Sequence, residues 1–457
     1  MIGVRGWVSA VAAFPMLVAL AGPAASLSTV PSLDTGFGVS GQVRCCTALA
    51  KPPTGFDQFQ FNDVVTEDHL IYTAGVAVLS GQSATAGRPL VASYLADGSP
   101  NPAFNAGRPR LVRAAGPAAT SSSMAVQPDG RILIAGLSEV DARLSAGHPY
   151  VLRLRPSGRL DRSFAGDGIE VFSVPRAEEP VVVGLDGSGR VYLAATTITT
   201  RSIWSSNPRA DVRIWRLQSN GNRDTAFARN GRKLVALRRY DDLADLAVTA
   251  DGRAVLVLTG MSFKSYSEGQ PAPRDPPAVL VRLGPVGHFD HSFGTGGVVP
   301  FRLRHGWTMP VSVALDSSGR TVVGMVGGSG LGVGRWLANG VPDATYGVDG
   351  LSRGGPATNG YLVNPRAGVL TPDGYVFAGG DYLTTGRWTY LVRFAPNGGL
   401  DPAFGTNGQA ALQLWPISRY SAEAVLRPAV DNCGRLLLAG AAGYTTTWAM
   451  LSRMNTR

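Results

Sequence analysis

Apolar positions in this chain fall into short alternating runs that recur. Residues 123–127, "SMAVQ", read as a short apolar strand, and Pro128-Asp129-Gly130 then supplies a tight turn in which Gly is free to take positive φ. "RILIAG" returns as a second strand. After a variable stretch, "YVLRLR" makes a third, with Leu152 and Leu154 alternating against Arg153. The corner "GRLDRSFAGDG" at 158–168 redirects the chain, and "IEVFSV" at 169–174 is a fourth strand.

This unit is copied along the chain. Phe37, Phe104, Phe164, Phe227, Phe293, Tyr346 and Phe404 share one slot, with a mean spacing of about 61 residues. The turn and second strand recur as "GSGRVYLAA", "ADGRAVLVLTG", "SSGRTVVGMVG", "PDGYVFAGG" and "NCGRLLLAG", with a degenerate copy "EDHLIYTAG" at 67–75. The third strand and its turn recur as "RIWRLQSNG", "VLVRLGPVG", "GVGRWLANG" and "YLVRFAPNG". Four antiparallel strands of this length make one propeller blade, and seven blades close a ring with few free edges.

Two details favour a propeller over a β-solenoid. One first-strand slot holds Ala125, Gly184, Ala247, Ala314 and Ala429, with Val64 and Val369 in the remaining copies. Small residues suit strands crowded around an axis. The chain also starts mid-unit: residues 33–46 carry a corner and fourth strand, and residues 424–455 carry three strands with no corner after them. Together they make one blade, closed by pairing the two ends. The expectation is an all-β, seven-bladed β-propeller of four-stranded antiparallel blades, with residues 27–457 as its single domain.

These motifs resemble the delta-60 repeat, a bacterial repeat of secreted, propeller-like proteins; "AVQPDGRILIAG" followed by "VLRLRPSGRLDRSFAGDG" carries the likeness. It covers nearly the whole chain after its first residues. It implies fold and export but brings no catalytic or ligand residues. Departures are Asn101 for Asp, Tyr346 for Phe, and His69 where the turn Gly is expected.

Arg153, Arg216, Arg282, Arg335 and Arg393 each precede an Asp by eight residues: Asp161, Asp224, Asp290, Asp343 and Asp401. Arg453 and Asp34 complete the set across the two ends. One copy has Ser93 and Asn101 instead, so both partners are lost together. We expect each Arg to hold its Asp in a charge-assisted hydrogen bond that braces the corner. Calcium is the alternative for these carboxylates, but "DRSFAGDG" lacks oxygens at the alternate positions of a calcium loop.

The chain is 44% hydrophobic and 16% charged, which excludes a disordered chain. Its formal charge of +10 invites a nucleic-acid reading, but all except three of its 42 Lys and Arg are arginine, spread through the repeat rather than clustered. No nucleic-acid partner is expected. Residues 1–26 have the form of a signal peptide: Arg5, an apolar run from Trp7 to Ala21, then "GPAAS". The run is short for a span and contains Pro15. A secreted or periplasmic monomer without a membrane span is expected. Cys45, Cys46 and Cys433 are too few for a disulfide framework. Cys433 falls on the opposite face from the other two, beyond the Cα separation of about 7 Å that a bridge allows.

Function is sought where the repeat varies. The loops between second and third strands and the links between blades share one face, and the former are long at 76–90, 137–149, 196–210 and 261–277. Aromatics there include Phe56, Phe59 and Phe61, with packing beneath their own loops as the alternative to exposure. Trp204, Phe263, Tyr266, Trp307 and Tyr382, with Arg304 and His305, are the candidate binding residues, able to stack on sugars or grip a peptide. "HFDHSF" offers His288 and His291, but in variable slots, and no metal or cofactor is expected. No GxSxG, HExxH, P-loop or dinucleotide motif is present in context. The favoured function is a binding or scaffold module for a protein or glycan. The alternative is an extracellular carbohydrate-active enzyme, of hydrolase or lyase type, with its site at the channel mouth.

Overall fold

A computed structural model describes residues 31–45, 56–79, 87–114, 116, 118–141, 146–198, 210–237, 241–259, 278–302, 308–327, 330–354, 367–372, 374–380, 389–415, 422–443 and 447–455. The strands form a seven-bladed propeller. Blade 1 runs Phe56–Glu67, Leu70–Leu79, Gly87–Tyr94 and Arg110–Leu111 from axis to rim. Blade 2 has Ser123–Val126, Ile132–Asp141, Ala146–Leu154 and Ile169–Val171; blade 3 has Ala177–Leu185, Val191–Ile198, Ala210–Leu217 and Arg232–Val235. Blades 4, 5 and 6 begin with the inner strands Asp242–Val248, Thr308–Leu315 and Ala367–Thr371. In blade 7, Ala422–Val430, Leu436–Gly443 and Thr447–Asn455 come from the end of the chain. Its outer strand is Gln42–Arg44, where Val43 pairs with Leu451.

Each blade buries both faces on its neighbours, so the core is a set of apolar layers between blades. Leu133, Val151 and Phe164 of blade 2, for example, pack with Val183 and Leu193 of blade 3. Beneath these layers the corner motif joins one blade to the next. The six brace arginines place Nε against Asp Oδ2: 2.9 Å for Arg153–Asp161, 2.7 Å for Arg216–Asp224, 2.9 Å for Arg282–Asp290, 2.8 Å for Arg335–Asp343, 2.6 Å for Arg393–Asp401 and 2.9 Å for Arg453–Asp34. Each guanidinium also lies 4.5–4.7 Å above its own blade's corner aromatic: Phe164, Phe227, Phe293, Tyr346, Phe404 or Phe37. Its Nη1 then donates into the next blade: Arg153 to the Ser219 carbonyl, Arg216 to Pro285, Arg282 to Ala338, Arg335 to Pro396 and Arg453 to Ala96.

The aromatic wedges against that same neighbouring turn. A Cβ on Gly221, whose φ is +90°, would come within 2.8 Å of the Phe164 ring, so only Gly fits there. Arg131, Arg253 and Arg435, from the inner hairpins, approach Asp161, Asp290 and Asp34 at 3.0, 3.2 and 3.1 Å. Burial alone would raise the Asp161 carboxyl. The Ser163 hydroxyl and N–H, with Arg153 and Arg131, outweigh it and hold the group at about 2. In blade 1 the Asn101 amide donates to the Ser93 hydroxyl at 3.1 Å, a neutral bond in place of the ion pair.

Two details differ from the sequence reading. The small slot of blade 1 is Val65, not Val64: Val65 pairs with Tyr72, itself opposite Ser93, as Ala125 pairs with Leu133 opposite Arg153. The cause is a two-residue turn at Asp68 and His69, with φ of 46° and 63°, where blade 2 uses three residues. That turn also accounts for the missing Gly. Second, much of 76–90 and 137–149 is strand, because Leu70–Leu79 and Ile132–Asp141 run on into those ranges, where Val76, Ala77, Val78 and Leu137 are buried. Ladder pairs such as Ser138–His148 satisfy the backbone there, although the apolar alternation has stopped.

Asp34→Ala should destabilise the fold by about 3 kcal/mol, since it strands Arg453 and weakens ring closure. Asp401→Ala, in an interior blade, should cost less. Calorimetric melting of both variants checks this, and equal, negligible shifts would contradict it.

Candidate functional site

The inner strands place one residue, two positions before the small slot, at a common level around the axis. In blades 1 to 5 and 7 these are Asp63, Ser123, Val182, Asp245, Ser312 and Arg427, opposite Ala74, Ala135, Ala194, Val257, Gly324 and Ala439. In blades 1, 4, 5 and 7 a β-bulge immediately precedes the residue and re-aims it. The side chains reach the next blade. Met124 N–H donates to Asp63 Oδ2 at 2.8 Å, Val183 N–H to Ser123 Oγ at 2.8 Å, and Val313 N–H to Asp245 Oδ2 at 3.0 Å. The Ser312 hydroxyl meets the Tyr375 hydroxyl of blade 6.

Arg427 breaks this pattern. Its Nε lies 3.4 Å from Asp63 Oδ1 in adjacent blade 1, and its Nη2 lies 3.8 Å from Asp245 Oδ1 in blade 4. Blade 4 is three blades away one way round and four the other, the farthest separation a seven-membered ring permits. The guanidinium therefore crosses the central channel. Asp63 and Asp245 are buried at 4% and 2% exposure, while Arg427 is half-buried. Burial pushes both carboxyls upward, against the pull of Arg427 and the backbone N–H donors. Burial would lower Arg427, but the two carboxylates outweigh it and raise its pKa. Asp245 Oδ1 has no hydrogen-bond partner among the described residues, so 3.8 Å of space separates it from the guanidinium. This arrangement offers charge to the channel, with each acid facing Arg427 and accepting a backbone N–H from the next blade.

Farther along the inner strands, Glu178 and Asp242 occupy matching positions opposite Thr196 and Thr259. Thr196 Oγ1 donates to Asp242 Oδ1 at 2.6 Å and accepts from Leu243 N–H at 2.9 Å. Burial, then the Glu178 charge, lifts Asp242 to about 7 despite the Thr196 bond. In blade 2 the Ser122 hydroxyl donates to Glu179 Oε1 of blade 3 at 3.1 Å. These carboxylates lie at the end of the inner strands that the variable links enter.

Trp204, Phe263, Tyr266, Arg304, His305, Trp307 and Tyr382 all lie outside the described residues, as do residues 1–26 and Cys46. Phe59 and Phe61 are buried in the core at 1% and 0% exposure, and Phe59 stacks on Trp448. They pack in the layer between blades 1 and 7, with Leu437, Ala439 and Ala449. His288 and His291 are exposed, and among the described residues no three His, Cys, Asp or Glu are grouped to hold a metal. Cys433 is an exposed free thiol. Sequence reading missed Asp63, Asp245, Arg427, Glu178 and Asp242. The available signal was a charge inside an apolar inner strand, as in "LADLAV" and "AVLRPAV".

A family model described as "Domain of unknown function (DUF5122) beta-propeller" matches residues 127–164, which run from the inner turn of blade 2 to its corner aromatic. No curated protein matches the chain. Among solved structures, virginiamycin B lyase from Staphylococcus aureus is similar over 90% of this chain and 98% of its own, at 11% identity and a TM-score of 0.45. A protein of unknown function from Dyadobacter fermentans is similar over 92% and 100%, at 9% identity and a TM-score of 0.44. The polysaccharide lyase Uly1 is similar over 87% and 90%, at 9% identity and a TM-score of 0.46. The chain is a β-propeller, and the function of the matching family is not established.

Two outcomes are expected from variants here. Arg427→Ala should cost on the order of 3 kcal/mol at pH 8, where it leaves Asp63 and Asp245 ionised and uncompensated. The loss should shrink as pH falls, because those raised carboxyls take up protons before ordinary ones do; denaturant titrations from pH 8 downward check this, and an unchanged loss would refute it. Asp242 ionises at about 7 in the folded chain against 3.8 ordinarily, so the folded state binds the extra proton and stability falls as pH rises through that window. Asp242→Asn should flatten this slope, read from melting curves at successive pH values.

Proposed function

We propose that the protein is an exported, monomeric binding or scaffold propeller that recognises a protein or glycan through its variable-loop face. The observation that supports this reading is the use of the polar groups on the rest of the frame. The corner face commits its arginines and aspartates to joining blades, and Arg427 crosses the channel between two carboxylates. The variable face is the surface left to differ from blade to blade, and Trp204, Phe263, Tyr266, Arg304, His305, Trp307 and Tyr382 are the binding residues proposed for it.

A second reading, an extracellular carbohydrate-active enzyme, draws on one observation. Burial and the Glu178 charge raise Asp242 to about 7, and a carboxyl that keeps its proton near neutral pH is what a general acid in glycan cleavage requires.

Residues 27–457 applied to glycan and peptide arrays should give binding without turnover. Trp204→Ala and Trp307→Ala should weaken it about tenfold or more while leaving the melting temperature unchanged. Cleavage of a bound glycan, abolished by Asp242→Asn, would replace the binding reading with the enzymatic one. Absence of any ligand on both arrays would count against both.

A further inference from the structure

A cleft of about 360 Å³ lies where blade 1 hands the chain to blade 2, lined by Arg88, Pro89, Val112, Arg113, Ala114, Gly116 and Ala119. Its walls are tied together by backbone. Val112 N–H donates to the Pro89 carbonyl and Ala119 N–H to the Gly87 carbonyl, both at 2.9 Å, so Val112 and Ala119 lie against the start of Gly87–Tyr94. Pro89, Val112, Ala114 and Ala119 are buried and give an apolar floor. Arg88 and Arg113 supply the charge.

These two arginines differ from those of the frame. The brace and inner-hairpin arginines each face one or two carboxylates at hydrogen-bond distance. Arg88 instead has its guanidinium carbon 5.7 Å above the Phe56 ring, which orients the plane without neutralising it. Arg113 is exposed. Among the described residues neither pairs with a carboxylate. Two guanidinium groups without a counter-charge, over an apolar floor, match an oxyanion carried on a small apolar body. The volume falls in the range of about 300–1,000 Å³ usual for small-molecule sites.

We propose that this cleft binds a small organic anion, with its carboxylate or phosphate between Arg88 and Arg113 and its apolar part on Val112, Ala114 and Ala119. None of these residues is among the seven binding residues proposed above, so either site can fail while the other stands.

Titration calorimetry and saturation-transfer NMR with benzoate, phenyl phosphate and neutral benzyl alcohol test the proposal on the intact mature chain. Benzoate or phenyl phosphate should occupy one saturable site, weakened by salt, and the tighter of the two identifies the oxyanion. Arg113→Ala should weaken that binding about tenfold. Its exposed side chain makes it the variant least able to disturb the fold. Arg88→Gln should weaken it similarly, with Arg88→Lys restoring part of the loss. Benzyl alcohol binding as well as the anions, equal affinity of wild type and Arg113→Ala, or no binding of either anion would each overturn the proposal.

Discussion

The ring depends on one guanidinium used three ways. In each braced blade, the third-strand arginine holds its own corner aspartate, lies on its own corner aromatic, and in five blades donates to a carbonyl of the blade that follows. A blade alone has two apolar faces and no stable partner. The node makes a neighbour's backbone part of each blade's hydrogen-bond accounting. Arg suits the task because a rigid fork can satisfy partners in two directions while its face rests on a ring. These pairs are nearly buried, so their geometry is held by the frame rather than left to solvent. The contact between Ser93 and Asn101 shows that the corner itself tolerates a neutral bond in one blade of seven.

Toward the channel, symmetry gives way. Asp63, Ser123 and Asp245 do the same job, each accepting an N–H from the next inner strand. Val182 abandons that bond for the apolar layer it shares with Leu243 and Leu246. Arg427, which cannot accept a hydrogen bond, turns to the carboxylates of blades 1 and 4 instead. Identical backbone positions thus carry different chemistry. The bulges preceding them let side chains of unequal length meet near the axis.

The fold was legible because copying repeats each signal. The corner "GRLDRSFAGDG", the alternation in "YVLRLR" and the split last blade can each be checked against several other copies. Where a copy departs from the pattern, the reading slipped. Asp68 and His69 shorten one turn and move the small slot from Val64 to Val65. Polar residues such as Ser138 and His148 hide a ladder that runs on into 137–149. The channel cluster was not legible for a different reason. Asp63, Asp245 and Arg427 lie far apart in sequence, and only closure of the ring brings them to one point. A repeat alignment sets Asp245 and Arg427 in one column, and Asp63 with them once the shorter turn is allowed for, but it does not show that blade 7 can touch blade 4.

Closure also orders events in time. Asp34 finds its partner Arg453 only 419 residues further along the chain, and Val43 pairs with Leu451 in the same strand. Residues 32–44 therefore stay unpaired until Thr447–Asn455 has been made. Blades 1 to 6 can form hairpin by hairpin from local contacts, whereas blade 7 requires the longest loop the chain can close. A chain shortened by a dozen residues at its end would leave blade 7 with an exposed strand edge at each side of the gap. Such edges recruit strands from other molecules.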